Sequence, residues 1–252
     1  MAEQNTMPHL NNQSRLLTDK NTEYEIMFKR EGGATNLDSI KSRESRTPEQ
    51  NAKTYDEWVI KGTYEQDTAN LGYSGPQITA DTVAMVFPKN KEKIRILDMA
   101  AGTGLVAIRL RKHGFKRIDA VDPSPASKKV AMEKNVYGRY LVDFVDERRL
   151  DIETDEYDCV VSAGGFGPGL MPSIALKEFV RVVKPGGYAC FSCTEYILSL
   201  SKDHKEKFEA LIEEYIRQGV WEKVSRSVVQ GYFDFKPGVV YVFRVLKSEV
   251  QP

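Results

Sequence analysis

RILDMAAGTGLVAIRL, residues 95–110, decides how the chain is read. A mostly apolar run from Ile94 to Leu97 ends in an acid and a Gly-rich turn, and a helix-period pattern follows. That is a strand, a tight turn and a helix, with small residues that let backbone approach a ligand closely and Gly104 easing the crossing into the helix. Gly102-x-Gly104-x-x-Ala107 satisfies the loose dinucleotide fingerprint, and Asp122 stands near the spacing at which that fingerprint expects a ribose-binding acid. The glycines alone therefore leave a dinucleotide and a different nucleotide-like cofactor both open.

Outward from this turn, strand and helix alternate. Strands are expected at Ile94–Met99, Arg117–Val121, Tyr140–Val145, Tyr157–Ser162 and Tyr188–Cys193, and helices at Leu105–His113, Pro125–Asn135, Ser173–Val183 and His204–Gln218. Such alternation predicts a parallel sheet covered by helices on both faces, with a site at the carboxyl ends of the strands. Two β-rich segments, Val220–Phe233 and Val239–Leu246, joined by Asp234-Phe235-Lys236-Pro237-Gly238, break the alternation and read as an antiparallel hairpin at one edge. Before the strand, Thr47-Pro48-Glu49-Gln50 offers a cap, an N1 proline and an early acid for a helix over 48–61. A second helix runs from Gly75 to Phe87 and stops at Pro88. Residues 1–47 are polar and are expected to form a mobile extension, leaving 48–252 as the domain: covering helices over 48–88, a cofactor-binding core over 93–193, and a helix with the terminal hairpin over 203–246.

The bulk properties exclude several classes. Thirty-six basic and 36 acidic residues cancel, so no long-range field favours nucleic acid, and no stripe of basic and aromatic residues marks a single-strand site. The start lacks the basic-then-apolar order of a secretory signal, and no apolar run approaches the roughly 18 residues of a membrane span. Three cysteines in a chain of this size fit a reducing compartment, so a cytoplasmic location, or a nuclear one, is expected. Cys190 and Cys193 form a C-x-x-C on a predicted strand, where an offset of three sends the side chains to opposite faces; packed thiols are expected, and no metal site.

Asp98, four residues before Gly102, separates the cofactor candidates. A carboxylate there opposes a pyrophosphate and suits a cofactor carrying an ammonium and a sulfonium, as S-adenosylmethionine does. Asp122 can accept both hydroxyls of a ribose in either case. With these residues in place, ILDMAAGTG, VDPS, YDCVVSAG and LKEFVRVVKPGGYACFS resemble the successive motifs of class I S-adenosylmethionine-dependent methyltransferases over about residues 50–246. Tyr55-Asp56-Glu57-Trp58 and Tyr64-Glu65-Gln66-Asp67 are similar to the opening of the methyltransferase-like proteins of the Williams–Beuren syndrome region.

The resemblance implies an α/β, Rossmann-like, doubly wound seven-stranded sheet whose reversed last strand the hairpin supplies. It implies that Ala100, Gly102 and Gly104 line the methionine part of the cofactor, that Thr103 between them is also a cofactor-binding residue, that Asp122 holds the ribose, and that Pro123 packs near the adenine. It further implies that Asp143 and Phe144, ending the third strand, meet the adenine edge, that Ser162 to Gly164 lie beside the methyl group, and that Tyr55 and Tyr64 cover the cofactor. Each role has a plainer competitor: Asp98 as a cap for the helix opening at Thr103, Asp122 as N-cap of the helix after Pro123, Phe144 as core, and the tyrosines as half-buried packing residues.

Methyl transfer from a sulfonium is an in-line displacement needing little dedicated acid or base. Ser162-Ala163-Gly164-Gly165-Phe166-Gly167-Pro168-Gly169 lacks the Asn/Asp-Pro-Pro-Tyr/Phe arrangement of several amino-group methyltransferases, and a small-molecule or protein acceptor is expected. Glu195 and Tyr196 could face it, whereas His204, at a helix start, reads as a solvated surface residue. The short hairpin connection implies a reduced substrate lid. The competing functions are a cofactor-binding module without turnover, and an NAD(P)-linked oxidoreductase, against which Asp98 and the VVKPGG entry to the fifth strand both count.

Overall fold

The computed structural model describes residues 45–249. The extension expected over 1–47 falls outside the described residues except at 45–47. The elements are α1 (Pro48–Ile60), α2 (Tyr64–Asn70), α3 (Gly75–Val86), β1 (Arg95–Met99), α4 (Leu105–Lys112), β2 (Arg117–Val121), α5 (Pro125–Glu133), β3 (Tyr140–Leu141) and β4 (Tyr157–Ala163). They are followed by α6 (Leu176–Arg181), β5 (Val183–Thr194), α7 (Glu195–Leu200), α8 (Glu209–Arg217), β6 (Trp221–Phe233) and β7 (Lys236–Val245).

The seven strands lie in the order β3-β2-β1-β4-β5-β7-β6, parallel except for β7, which runs antiparallel to both β5 and β6. The order reverses between β1 and β4, the crevice at which a doubly wound sheet places its ligand. Period-two alternation feeds two cores. Leu97, Met99, Val160 and Phe191 face one side, against Phe179 of α6 and Ile212 of α8. Ile96, Ala120, Val161 and Cys190 face the other, against Val83 of α3 and Val106 and Leu110 of α4. Cys190 and Cys193 thus enter opposite cores, both fully buried and free of disulfides. No helix among the described residues is long and apolar enough to cross a membrane.

The local signals act as their chemistry dictates at α1, where Thr47 Oγ1 accepts from the Gln50 N–H and Gln50 Oε1 accepts from the Thr47 N–H, a reciprocal capping box. Several boundaries differ from expectation. The third strand stops at Leu141 rather than Val145, because only Tyr140 and Leu141 have partners on β2. The helix expected over Ser173–Val183 is a 3₁₀ turn at Ser173–Ala175 followed by the short α6, and β5 begins at Val183 rather than Tyr188. The helix expected at His204 opens as a π turn over His204–Phe208. His204 is buried, not solvated: its Nε2 lies 2.9 Å from the Met171 carbonyl, beside Phe166 and Phe208. Periodicity alone did not reveal α2 or α7.

Candidate functional site

The turn between β1 and α4 departs from ordinary backbone at alternate residues. Ala100, Gly102 and Gly104 have φ of 57°, 52° and 91°, and Ala100 holds this left-handed conformation despite its Cβ. Gly104 occupies the N-cap position of α4 and no side chain caps that helix, so the capping reading of Asp98 does not hold. A Cβ on Gly104 would stand 3.1 Å from the Tyr137 ring and 3.3 Å from Val136, tighter than an ordinary contact, so those side chains would have to give way to it.

Asp98 is fully buried at the end of β1. Tyr137 donates to its Oδ2 at 2.6 Å, while Oδ1 has no partner among the described residues. Burial pushes its pKa up to about 7; the Tyr137 hydroxyl opposes that rise and the neighbouring Asp122 carboxylate adds to it. Asp122, at the end of β2, accepts from the Gly102 N–H through Oδ2 and from the Ser124 N–H through Oδ1, each at 2.9 Å. Burial raises its pKa to about 6 against those two N–H donors, with Asp56 contributing in the same direction as burial. The N-cap of α5 is Ser124, whose Oγ accepts from the Ser127 N–H, so Asp122 is not that cap. Each carboxylate oxygen of Asp122 keeps acceptor capacity for a ligand. Pro123 stands half-buried between the two.

Tyr137→Phe is expected to destabilise the folded protein by about 1–3 kcal/mol, because it leaves a buried carboxylate without its donor. It also pushes the Asp98 pKa higher, so the penalty is larger at pH 8, where the group must ionise, than at pH 5.5; urea unfolding at the two pH values checks this.

Two helices lie over the turn. The rings of Tyr55 and Tyr64 approach with centroids 6.4 Å apart, Trp58 packs edge-on to Tyr64 at 4.9 Å, and the Tyr64 hydroxyl lies 3.9 Å from where a Gly102 Cβ would be. Burial, with the nearby Tyr73 and Tyr55 hydroxyls, holds the Tyr64 phenol protonated far above the ordinary range. The acid that follows each tyrosine acts as a latch, a role the sequence reading missed although the Tyr-acid pair recurs in YDEW and YEQD. Asp56 accepts from the Ser124 hydroxyl and, at 3.1 Å, from the Ala126 N–H at the start of α5, where the helix dipole favours an anion. Glu65 takes the Thr103 hydroxyl at 2.5 Å and pairs with Lys134, which also donates to the Thr103 carbonyl. Thr103 is thereby buried beneath the cover.

At the end of β4, Ser162 is fully buried and its Oγ has no partner among the described residues. A Cβ on the adjacent Gly165 would stand 2.9 Å from the Ala100 methyl, so the ends of β1 and β4 converge there. Tyr73, which the sequence reading also missed, places its hydroxyl 2.6 Å from where a Gly164 Cβ would be. Asp143 and Phe144 do not end β3 but follow it by two and three residues. Asp143 Oδ1 accepts from the Phe144 N–H at 2.8 Å, and its described ion pair runs to Arg148 at 3.5 Å. Glu195 pairs with Arg226 on β6 at 3.2 Å, and Tyr196 is buried.

This sheet order and turn define a class I methyltransferase fold, and the comparisons agree. Residues 97–191 match the family model described as a methyltransferase domain. Human methyltransferase-like protein 27 is 33% identical over 168 residues, 67% of this chain and 66% of its own length, just short of two thirds. The demethylmenaquinone methyltransferase of Clavibacter sepedonicus is 32% identical over 146 residues, 57% of each chain. Among solved structures, the [4+2]-cyclase SpnF superposes with a TM-score of 0.60 at 16% identity, over 80% of this chain and 98% of that one, a likeness of fold. The chain belongs to the class I S-adenosylmethionine-dependent methyltransferases. Within that class it is similar to methyltransferase-like protein 27.

Proposed function

We propose that the protein transfers a methyl group from S-adenosylmethionine to a small-molecule acceptor bound beyond the end of β4. One observation carries the reading: a buried carboxylate with an unpartnered oxygen, Asp98, stands at the end of β1 beside a turn whose Ala100, Gly102 and Gly104 are all left-handed. A buried acceptor left open in this way suits the positive methionine end of the cofactor.

On this reading Ala100, Gly102, Thr103 and Gly104 line the methionine part. Asp122, anchored by two backbone N–H groups, uses its remaining lone pairs on the ribose hydroxyls. Pro123 packs near the adenine, with Asp143 and Phe144 at its edge. Tyr55 and Tyr64 cover the site and exclude water, their helices held by the Asp56 and Glu65 latches. Ser162 lies beside the transferred methyl group. When bound, S-adenosylmethionine supplies an electrophilic methyl on a sulfonium; this chain's residues hold the reactants in line. A small acceptor is favoured because relatives such as the demethylmenaquinone methyltransferase carry small-molecule names. The buried free cysteines suit a reducing, intracellular setting.

A second reading, cofactor binding without methyl transfer, draws on the cyclase that shares the fold. Calorimetric titration with S-adenosylmethionine, S-adenosylhomocysteine and NADP in parallel tests the cofactor. Saturable binding of the first two and none of the third is expected, and binding of NADP alone would overturn the proposal. An acceptor screen following release of S-adenosylhomocysteine then separates turnover from binding.

A further inference from the structure

The turn between β6 and β7 holds an exposed aromatic in a costly conformation. Asp234 and Phe235 are the two loop residues of a hairpin closed by Phe233 and Lys236, and both are left-handed, with φ of 51° and 59°. A two-residue turn of this hand favours Asn or Asp at its first position and Gly at its second. Asp234 meets that preference, and its Oδ2 pairs with Lys236 at 2.9 Å. Phe235 does not: a left-handed backbone is strained for a bulky L-residue, and its ring is 92% exposed, so packing against the described residues does not offset the strain. Tyr232, three residues earlier, is 1% exposed.

The turn stands at the site end of the sheet. Gly238 on β7 pairs with Thr194, the last residue of β5; Ser192 on β5 pairs with Ala163, the last residue of β4. A bulge between Val229 and Phe233 carries the tip over the connection between α2 and α3. There the Asp234 N–H donates to the Leu71 carbonyl at 2.8 Å, the Ser74 N–H to the Tyr232 carbonyl at 2.9 Å, and the Ser74 hydroxyl to the Gly231 carbonyl at 2.7 Å. Tyr73 spans the remaining gap, its hydroxyl against Gly164 and its ring edge-on to Tyr232 and Phe233, each at 5.8 Å. Behind it the Tyr232, Ser192 and Thr79 hydroxyls form a buried chain, at 2.9 and 2.7 Å, that locks the hairpin to α3. The support beneath Phe235 is thus rigid, and one side chain separates that support from the end of β4.

We infer that Phe235 is the outer contact of the methyl-acceptor site and takes an apolar ring or alkyl chain of a small acceptor whose reacting end lies at Gly164. This rests on the function proposed above. A single ring flanked by the Asp234–Lys236 ion pair suits one small apolar group; a stable protein partner would need roughly 800 Å² on each side.

The test uses the full chain saturated with S-adenosylhomocysteine and a series of 4-alkylphenols with methyl, butyl and octyl chains, their affinities measured by calorimetry. For the wild type, Kd is expected to fall at least tenfold from the methyl to the octyl compound. Phe235→Gly should flatten that dependence, leave S-adenosylhomocysteine affinity unchanged, and give an equal or higher Tm because glycine relieves the strained turn; Phe235→Leu should retain part of the dependence. The same chain-length dependence in Phe235→Gly, or no alkylphenol binding to a wild type that binds S-adenosylhomocysteine, overturns the inference. So does co-sedimentation of wild type but not Phe235→Gly with phosphatidylcholine vesicles, which would assign the ring to a bilayer. A wild type that fails to bind S-adenosylhomocysteine strikes the cofactor reading first, and this inference with it.

Discussion

Gly104→Val is expected to abolish S-adenosylmethionine binding, raising Kd by at least about a hundredfold, which corresponds to about 2.7 kcal/mol. Two effects act together. The residue has φ of 91°, a region that a β-branched side chain occupies only under strain. Its Cβ alone would lie 3.1 Å from the Tyr137 ring, so the further carbons of valine must displace that ring. Tyr137 is the donor that holds Asp98, and its displacement disturbs the carboxylate proposed to meet the methionine end. Calorimetric titration gives the affinity, and near-UV circular dichroism establishes that the variant is folded. Should valine unfold the protein, Gly104→Ala supplies the same test with a smaller clash. Wild-type affinity in a folded variant removes the cofactor from this turn.

The second large effect is on pH. In the ligand-free protein Asp98 has a pKa of about 7 and Asp122 of about 6, both raised chiefly by burial from an ordinary value of 3.8. The folded protein therefore keeps protons that the unfolded chain has lost between about pH 4 and 7. The corresponding contribution to stability is complete below the unfolded value and is lost as pH rises through the folded values. A cationic ligand beside Asp98 favours the ionised form, so binding expels the proton. Affinity for S-adenosylmethionine should thus increase with pH from 5.5 to 8, by up to about tenfold per unit for each proton released, and level off above that. Asp98→Asn should weaken binding at pH 8 by about 10- to 100-fold, as loss of a charge-assisted contact of about 1.5–3 kcal/mol does, and should flatten the part of the profile that belongs to pH 7. A Kd that stays constant from pH 5.5 to 8 in the wild type would show that neither acid changes ionisation on binding.

The elements that could be read from sequence are those whose cause is local. β1, α4, β2 and α5 were legible because alternation, a glycine turn and a proline at the first helical position act within a few residues. β3 was not, because a strand's length depends on how far its neighbour stays alongside, and β2 pairs with it only through Ala120 and Val121. α2 has seven residues and too little periodicity to stand out. His204 was misjudged since its position at a helix start says nothing about Phe166 and Phe208, which surround it.

The site divides along the same line. Sequence by itself pointed to the class: the glycine turn after β1 and the acids ending β1 and β2 suit a cofactor with a positive methionine end, and the motifs in which they stand resemble, in order, those of class I methyltransferases. Only the tertiary structure decided which groups stand ready. Asp98 is left with one open oxygen because Tyr137, 39 residues away, satisfies the other, and Asp56 and Glu65 latch the cover because α5 and the glycine turn meet them from distant parts of the chain. Burial and hydrogen bonding of this kind depend on what lies across space, and a carboxylate's charge state arises from that environment rather than from the residue's own chemistry.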